Sequence, residues 1–221
     1  MYKTETHLHT KESSLCGWIL AEDMVKSYYE AGYSTVCICD HFMQRYFDSL
    51  GDIAWEDKIT IFLSGYYKAK HAAKKYGMNV LLAAEIEFQG TSPNHYLVYG
   101  ITRKILNSYP ELCKMSIEDF SKIAKDNSLF IVQAHPFRDG KNFPTPDYVD
   151  AIEIYNANPR HKDFSYKSKK VAEEYGLSVS AGSDAHRPED IGLSGIITQT
   201  EIKTSGDLIQ AIKNQRIEII N

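Results

Sequence analysis

Short apolar runs alternate with longer amphipathic stretches along most of the chain. The apolar runs predict strands at about 2–7, 34–39, 79–86, 95–99, 129–134, 151–155, 178–182 and 193–198. The amphipathic stretches predict helices at about 21–31, 57–76, 116–126, 164–175 and 205–213. This alternation is typical of parallel βα units, and the number of units in one chain of 221 residues favours a TIM-like barrel.

Two segments depart from this alternation. About eight residues, 88–95, separate the third predicted strand from the fourth, which is too few for a parallel crossover. We therefore expect a hairpin that brings His95 to the same end of the sheet as Glu85 and Glu87. The segment 42–55 has little periodicity, and we expect it to form an irregular loop that overhangs the strand ends.

Composition narrows the class of protein. A chain of 221 residues that is 43% hydrophobic suits one sizeable core, so we expect a single domain over residues 1–221. The net charge of −4 and the absence of any Lys/Arg block give no sign of a nucleic-acid or membrane surface. Without an apolar targeting segment or a run of membrane-spanning length, the expected location is the cytoplasm. The four cysteines lack paired spacing and are expected to be reduced.

Side chains that bind metals stand where several predicted strands end. They are His7 and His9 on the first strand, His41 after the second, Glu85 at the third, His135 after the fifth, and Asp184 and His186 after the seventh. In a parallel barrel these ends converge on one face. Burying so many imidazoles and carboxylates without an ion would leave desolvated polar groups, so the joint pattern predicts a metal site.

These motifs resemble those of the polymerase and histidinol phosphatase (PHP) family of metal-dependent phosphoesterases. The matching stretches are His7-Leu8-His9, Asp40-His41, Glu85, His95, His135-Pro136 and Ser183-Asp184-Ala185-His186, in the family's order. They span nearly the whole chain. The resemblance implies a distorted (β/α)7 barrel with two or three metal ions at the C-terminal ends of the strands, usually hydrolysing phosphate esters.

The resemblance also implies how the ions would be held. One ion would be bound by His7, His9, Glu85 and Asp184, and a second by Glu85, His95 and His135. Glu85 would bridge the two ions. Imidazole and carboxylate donors without thiolates suit Zn, Mn or Fe and do not choose among them.

A third ion would bind His41, His186 and a carboxylate from the loop after the first strand. Family members commonly have an aspartate five residues after the second histidine, and this chain has Ser14 at that position. Glu12 is the nearest carboxylate and could take its place. The third ion therefore depends on Glu12.

Three polar residues after later strands could contact a substrate. Arg138 and Arg160 can each match phosphate oxygens with a bidentate guanidinium, although each could also be an ordinary surface arginine. Asn156 could donate a hydrogen bond in the pocket or belong to a turn. As catalytic residues we consider Asp184, which could shuttle a proton, and His161, which could protonate a leaving group.

The leading functional hypothesis is a phosphatase that acts on a small phosphomonoester, with histidinol phosphate or a nucleotide as candidates. Clustered cations would lower the pKa of a bound water and neutralise the phosphoryl oxygens. One alternative keeps the metals and makes the protein a phosphodiesterase or exonuclease on nucleotide substrates. Another is a non-catalytic metal-binding barrel module.

Overall fold

The computed structural model describes residues 1–88, 90, 93–162 and 164–221. Its strands are β1 (Tyr2–Leu8), β2 (Tyr33–Ile38), β3 (His41–Phe42), β4 (Asn79–Ile86), β5 (His95–Tyr99), β6 (Phe130–Ala134), β7 (Ala151–Asn156), β8 (Ser178–Gly182), β9 (Gly195–Thr198) and β10 (Glu218–Ile220). Its α-helices are α1 (Ala21–Glu30), α2 (Gln44–Ser49), α3 (Trp55–Phe62), α4 (Ser64–Ala73), α5 (Arg103–Ser108), α6 (Ile117–Asp126), α7 (Ser165–Tyr175) and α8 (Ser205–Lys213). None of the helices in this described part of the chain is long and apolar enough to cross a membrane.

Seven strands form a nearly closed barrel in the order β1, β2, β4, β5, β6, β7, β8. The two ends of this sheet meet where Leu8 of β1 forms a parallel bridge with Ala185, just after β8. The backbone N–H of His9 donates to the Ala185 carbonyl at 2.9 Å. The predicted TIM-like barrel is confirmed, and its closure joins the two chain segments that carry the paired metal-site motifs.

The predicted hairpin is also confirmed, because β5 runs antiparallel to both of its neighbours, β4 and β6. Glu85 pairs with Leu97, and His95 pairs with Ala134. As the first residue of a reversed strand, His95 lies beside the C-terminal ends of β4 and β6.

The expectation of an irregular loop over residues 42–55 was wrong. His41 and Phe42 form β3, which pairs in parallel with Glu85 and Ile86, and the short helix α2 follows. Phe42 and Phe47 are buried in an aromatic cluster with Phe62. Met43, Tyr46 and Phe47 are buried on one face of this short helix, and their spacing of three and four residues covers too few turns to register as periodicity.

Two other elements differ from the sequence prediction. The single helix expected over 57–76 is divided into α3 and α4 at Leu63, whose ψ of 1° leaves the helical range. The strand expected at 193–198 is β9, which lies antiparallel to β1 outside the parallel barrel. Because β9 pairs only with residues 2–4 of β1, the C-terminal half of β1 can pair with the segment after β8.

The barrel interior is polar at one end and apolar at the other. Val132, Leu97 and Tyr99 belong to the apolar part, which the helix α8 covers. Nearer the strand ends, the buried Glu5 accepts hydrogen bonds from the Tyr28 hydroxyl and from the backbone of His7. Burial raises the pKa of Glu5 to about 7, although these hydrogen bonds oppose the shift. All four cysteines are free thiols.

Candidate metal centre

The strand ends carry a cluster of six imidazoles and two carboxylates. Eight of the nine sequence-predicted ligands meet there: His7, His9, His41, Glu85, His95, His135, Asp184 and His186. His7 and His9 alternate along β1 and point to the same side, so their Nε2 atoms lie only 3.2 Å apart. Their role as metal ligands stays a prediction, and their convergence is a property of the fold.

Glu85 lies at the middle of the cluster. Its two oxygens lie 2.7 Å from His41 Nδ1, 2.8 Å from His135 Nε2, 3.1 Å from His95 Nδ1, 3.4 Å from His9 Nε2 and 3.5 Å from His7 Nε2. The two oxygens of Glu85 thus face five imidazoles that come from four different strands or strand ends. This is the position expected of a carboxylate that bridges two metal ions.

Asp184 forms the second negative centre. Its Oδ1 lies 3.2 Å from His9 Nε2, 3.5 Å from His7 Nε2 and 3.4 Å from His186 Nδ1. Its other oxygen accepts a hydrogen bond from Arg138. Asp184 therefore connects the histidines of β1 to a guanidinium at the edge of the site.

Several atoms of the cluster lack hydrogen-bond partners within the described part of the chain. They are His41 Nδ1, Glu85 Oε2, His135 Nδ1 and Asp184 Oδ1. His41 Nδ1 and Glu85 Oε2 lie close together but outside hydrogen-bonding geometry. Each unsatisfied buried polar atom costs about 1–3 kcal/mol, and a cation would remove that cost.

Three groups of donors have all their ligand atoms within 4.8 Å of one another: His7, His9 and Glu85; His41, Glu85 and His95; and His9, His41 and His186. Together with the unpartnered atoms, these groups fit divalent metal ions. When bound, such ions lower the pKa of a coordinated water and neutralise charge on the substrate's phosphoryl oxygens.

The charges around Glu85 set the protonation of its neighbours. Burial would raise the pKa of Glu85, but His95, His41 and the other imidazoles hold it well below its usual range. Burial likewise opposes the charged form of His95, yet the carboxylates of Glu85 and Glu87 raise its pKa to about 9. Burial and the nearby Arg138 lower the pKa of His135 to about 3. A metal ion at His95 would therefore displace a proton, while His135 is already neutral.

Two cluster residues adopt backbone conformations that side chains rarely take. His135 has φ of 31° and Asp184 has φ of 51°. Left-handed conformations of this kind cost of order 1–3 kcal/mol in residues other than glycine and persist where the surroundings enforce them. These two conformations turn the backbone sharply after β6 and after β8, and they direct the side chains of His135 and Asp184 into the cluster.

Glu153 is a residue in contact with the centre that sequence analysis missed. It is almost completely buried in β7, where one oxygen lies 3.0 Å from His7 Nδ1 and the other accepts the His135 N–H at 2.8 Å and the Asn156 amide at 2.9 Å. This contact leaves His7 Nε2 facing Glu85 and Asp184. The signal was present, because an ionisable residue inside the apolar run Ile152-Glu153-Ile154 is rarely buried without a partner.

Glu12 does not join the cluster, which corrects its assignment as a ligand. One of its oxygens accepts the backbone N–H of Ala21 at 3.0 Å, at the start of α1, and the other faces Lys68 at 3.5 Å. A carboxylate at the positive end of a helix is favourably placed, which explains why the side chain turns away from the strand ends.

Arg160 also lies elsewhere than expected. Its guanidinium forms a bidentate pair with Asp190, at 2.8 and 2.6 Å. The same Asp190 accepts the backbone N–H groups of His186 and Arg187. Arg160 therefore holds the loop that carries His186, and it does not line the small pocket beside the cluster, so its assignment as a phosphate-binding residue stays an untested prediction.

Arg138, Asn156 and His161 lie around a small pocket beside the cluster, together with His135 and Phe164. Arg138 contacts both Asp184 and the Asn156 side-chain oxygen, the latter at 3.3 Å. His161 is partly exposed, and its Nδ1 lies 2.8 Å from Asp139 Oδ2. The structure thus brings these three polar residues to one side of the centre.

Comparison with known proteins identifies the family. The family model described as the PHP domain matches residues 5–128, and the model described as PHP-associated matches residues 165–217. The first match covers more than half of the chain, so the chain belongs to the PHP family. No curated protein matches the sequence.

Solved structures with a similar fold come from several bacteria. A two-domain protein from Bacteroides vulgatus, containing a predicted PHP-like metal-dependent phosphoesterase, is 15% identical with a TM-score of 0.71, and the alignment covers 99% of this chain and 64% of that one. PsfC from Pseudomonas syringae is 17% identical with a TM-score of 0.71, covering 99% and 90%. An amidohydrolase from Chromobacterium violaceum, with bound sulfate and no metal, is 16% identical with a TM-score of 0.61, covering 99% and 98%.

This chain therefore spans about 64% of the length of the Bacteroides protein. At these identities the likeness shows a shared fold. Family membership, the barrel and the imidazole–carboxylate cluster together define a PHP-type domain with a candidate metal centre at its strand ends.

Proposed function

We propose that this protein is a phosphatase that hydrolyses a small phosphomonoester with two or three divalent ions of Zn, Mn or Fe. The observation that carries the proposal is the position of Arg138, whose guanidinium contacts the cluster carboxylate Asp184 while it lines the adjoining pocket. A guanidinium beside a metal centre matches the oxygens of a phosphoryl group, which carries more negative charge than an amide or carboxylic ester.

The pocket residues have distinct roles in this proposal. Arg138 binds a phosphoryl oxygen, and Asn156 orients Arg138 through its side-chain oxygen. Glu153 holds Asn156 and His7 in position from beneath. Asp184 moves a proton at the edge of the metal centre.

His161 is proposed to protonate the leaving group. Its Nδ1 contacts Asp139, which leaves Nε2 as the nitrogen available to a substrate. The ring lies at the rim of the pocket that Arg138 and His135 also line. Protonation of the departing oxygen matters most when that oxygen is strongly basic, as it is in an alkyl phosphate.

The cationic side chains beside the centre suit a single phosphoryl group better than a polynucleotide. Arg138 and Lys162, which line the pocket, place two positive charges close together beside the centre. A polynucleotide would need cationic side chains along several phosphates, and the chain as a whole carries a charge of −4. Histidinol phosphate and a mononucleotide are the leading candidates.

A substrate panel tests the proposal. Protein loaded with Zn²⁺ or Mn²⁺ would be offered histidinol phosphate, mononucleotides, bis(p-nitrophenyl) phosphate, a short oligonucleotide and an N-acyl amino acid. We expect phosphate release from a monoester, with no comparable turnover of the other bonds. The Arg138→Met protein is the matched control, since it removes the guanidinium and keeps most of the side chain's length.

Cleavage of the diester or oligonucleotide with inert monoesters would replace the proposal with a phosphodiesterase. Cleavage of the amide alone would replace it with amide hydrolysis, the activity named for the similar Chromobacterium protein. A fully loaded protein inert toward every compound would favour a non-catalytic metal-binding module.

A further inference from the structure

We infer that the centre holds two divalent ions tightly, and that a third ion binds only weakly at the corner formed by His41 and His186. Ser14 is the residue that weakens this corner. The inference rests on the metal centre of the proposed function and is independent of the substrate.

The carboxylates available to the centre are few. Glu85 and Asp184 are the carboxylates whose oxygens face the imidazoles of more than one strand end. Glu87 faces His95 Nε2 at 3.5 Å and the exposed Arg45 at 3.4 Å. Glu12 caps α1 and faces Lys68. The corner at His41 and His186 therefore has no carboxylate of its own within the described residues.

His9 cannot complete this corner without leaving another ion. Its ring lies between those of His41 and His186, with centroids 4.2 Å from each. Its Nε2, however, lies 3.2 Å from both His7 Nε2 and Asp184 Oδ1, where the first ion would bind. An imidazole nitrogen offers one lone pair and cannot bridge two ions as a carboxylate does. His9 can serve one ion only.

Ser14 cannot supply the missing ligand, because its hydroxyl is fully used. The hydroxyl donates to Asp40 Oδ1 at 3.0 Å, accepts the His41 N–H at 3.1 Å and lies 3.3 Å from His9 Nδ1. These three contacts match the one donor and two acceptor positions of a serine hydroxyl. With Nδ1 held by Ser14, His9 presents Nε2 to the first ion, so Ser14 strengthens that site while leaving the corner with two imidazoles.

Charge balance leads to the same conclusion. Two divalent ions add four positive charges to a centre that holds Glu85 and Asp184, with Glu153 against His7, Glu87 against His95 and the guanidinium of Arg138 beside Asp184. Glu153 and Glu87 lie against His7 and His95, so the two further charges of a third ion at His41 and His186 would have no additional carboxylate to offset them. Changes outside the ligand shell usually cost about 10- to 100-fold in metal affinity, so a missing ligand should weaken the third ion at least about tenfold.

The test counts ions in the full-length protein without using its activity. Metal-free protein would be titrated with Zn²⁺ and separately with Mn²⁺, passed through a desalting column and assayed for bound metal per chain. We expect two retained ions and a third, weaker event at high Zn²⁺. The Ser14→Asp protein should retain three.

Two further variants keep the test decisive if Ser14→Asp fails to fold. Glu12→Gln should retain two ions, whereas a fall in bound metal would restore Glu12 as a ligand. His186→Gln should also retain two ions and lose the weak third event.

Three ions retained by the wild type, or a folded Ser14→Asp protein that retains two, would overturn the inference. Because metal is counted without substrate, a protein with two ions and no phosphatase activity would contradict the proposed function alone.

Discussion

At the scale of single residues, Glu85 is the group on which the centre depends. It contacts five imidazoles, and no other carboxylate within the described residues reaches so many. Glu85→Gln keeps the shape but removes the charge and one of the two ligand oxygens. We expect this variant to lose at least one bound ion and at least about 100-fold in kcat/KM, since even outer-shell changes cost about 10- to 100-fold.

Glu87→Gln is the matched control for that experiment. Glu87 is part exposed, and its contacts with the cluster run through His95 alone. This variant should retain the ions of the wild type and change kcat/KM by less than about tenfold. Equal losses in the two variants would show that Glu85 has no special role as a bridge.

Arg138 and Arg160 provide a second residue-scale prediction, because the structure separates two arginines that looked equivalent in sequence. Arg138→Met should lower kcat/KM about 10- to 100-fold, mainly through KM, since hydrogen bonds to charged groups contribute about 1.5–3 kcal/mol. Arg160→Met should instead destabilise the fold by a similar amount, because it breaks the bidentate pair with Asp190.

Steady-state kinetics and thermal unfolding of both variants would distinguish the two roles. The expected pattern is a raised KM with the smaller fall in Tm for Arg138→Met, because Asp184 still faces His7 and His9, and a larger fall in Tm with a smaller change in KM for Arg160→Met. A raised KM at unchanged Tm for Arg160→Met would return Arg160 to the substrate site.

Glu153 is the residue for which we predict a positioning role. Glu153→Gln should weaken metal binding about 10- to 100-fold, because the amide holds His7 Nδ1 and the His135 backbone less strongly than a carboxylate does. Competition with a chelator would measure the affinity. Glu173→Gln, on the exposed face of α7, is the control and should bind metal as the wild type does. Unchanged affinity in Glu153→Gln would remove the positioning role.

At the scale of elements, the loop between β1 and α1 is held by a close contact with α4. A Cβ at Gly65 would lie 2.0 Å from Thr10 Oγ1 and 2.9 Å from Asp40 Oδ2. Thr10 in turn donates two hydrogen bonds to Asp40, next to the candidate ligand His41. Gly65→Ala should therefore destabilise the protein by about 1–3 kcal/mol and disturb metal binding at His41.

Gly206→Ala is the control for this packing effect. Gly206 also lies in the first turn of a helix, α8, but its added Cβ would meet only Thr204 Oγ1, at 3.6 Å. Alanine is favoured over glycine in a helix by about 0.8–1.0 kcal/mol, so this variant should be as stable as the wild type or more stable. Equal Tm values for the two variants would contradict the close contact at Gly65.

The sequence predicted the positions of the strands and helices better than it predicted the partners of individual long side chains. Strand ends are short apolar runs followed by polar residues, so the positions of His41, Glu85 and His135 could be read directly. The hydrogen-bond or ion-pair partner of a long side chain depends on which residues the tertiary structure brings close to it. Glu12 capping α1 and Arg160 pairing with Asp190 both depend on segments far apart in the chain, and no local pattern encodes them.

At the scale of the whole molecule, the metal centre connects segments that are far apart in the chain. Its candidate ligands come from β1, β3, β4 and β5 and from the segments after β6 and β8, so an ion bound by them would connect segments around the whole circumference of the barrel. Among the residues that the structure describes, Glu85 Oε2, His41 Nδ1, His135 Nδ1 and Asp184 Oδ1 are buried without a hydrogen-bond partner. The ions should therefore stabilise the folded state far more than they stabilise any part of the unfolded chain.

We accordingly expect chelation to lower the Tm, and readdition of Zn²⁺ or Mn²⁺ to restore it. A ligand present at about 1,000 times its Kd stabilises the folded state by about 4 kcal/mol, and for a domain of 150–250 residues each kcal/mol shifts the Tm by about 2–4 °C. Calorimetry of the loaded and metal-free protein would measure the shift, with Glu85→Gln as the comparison. Because that variant has lost its bridge, chelation should change its Tm less than it changes the wild type's. If chelator left the wild-type Tm unchanged, the ions would not be coupled to closure of the barrel, and the unpaired atoms of the cluster would need another partner.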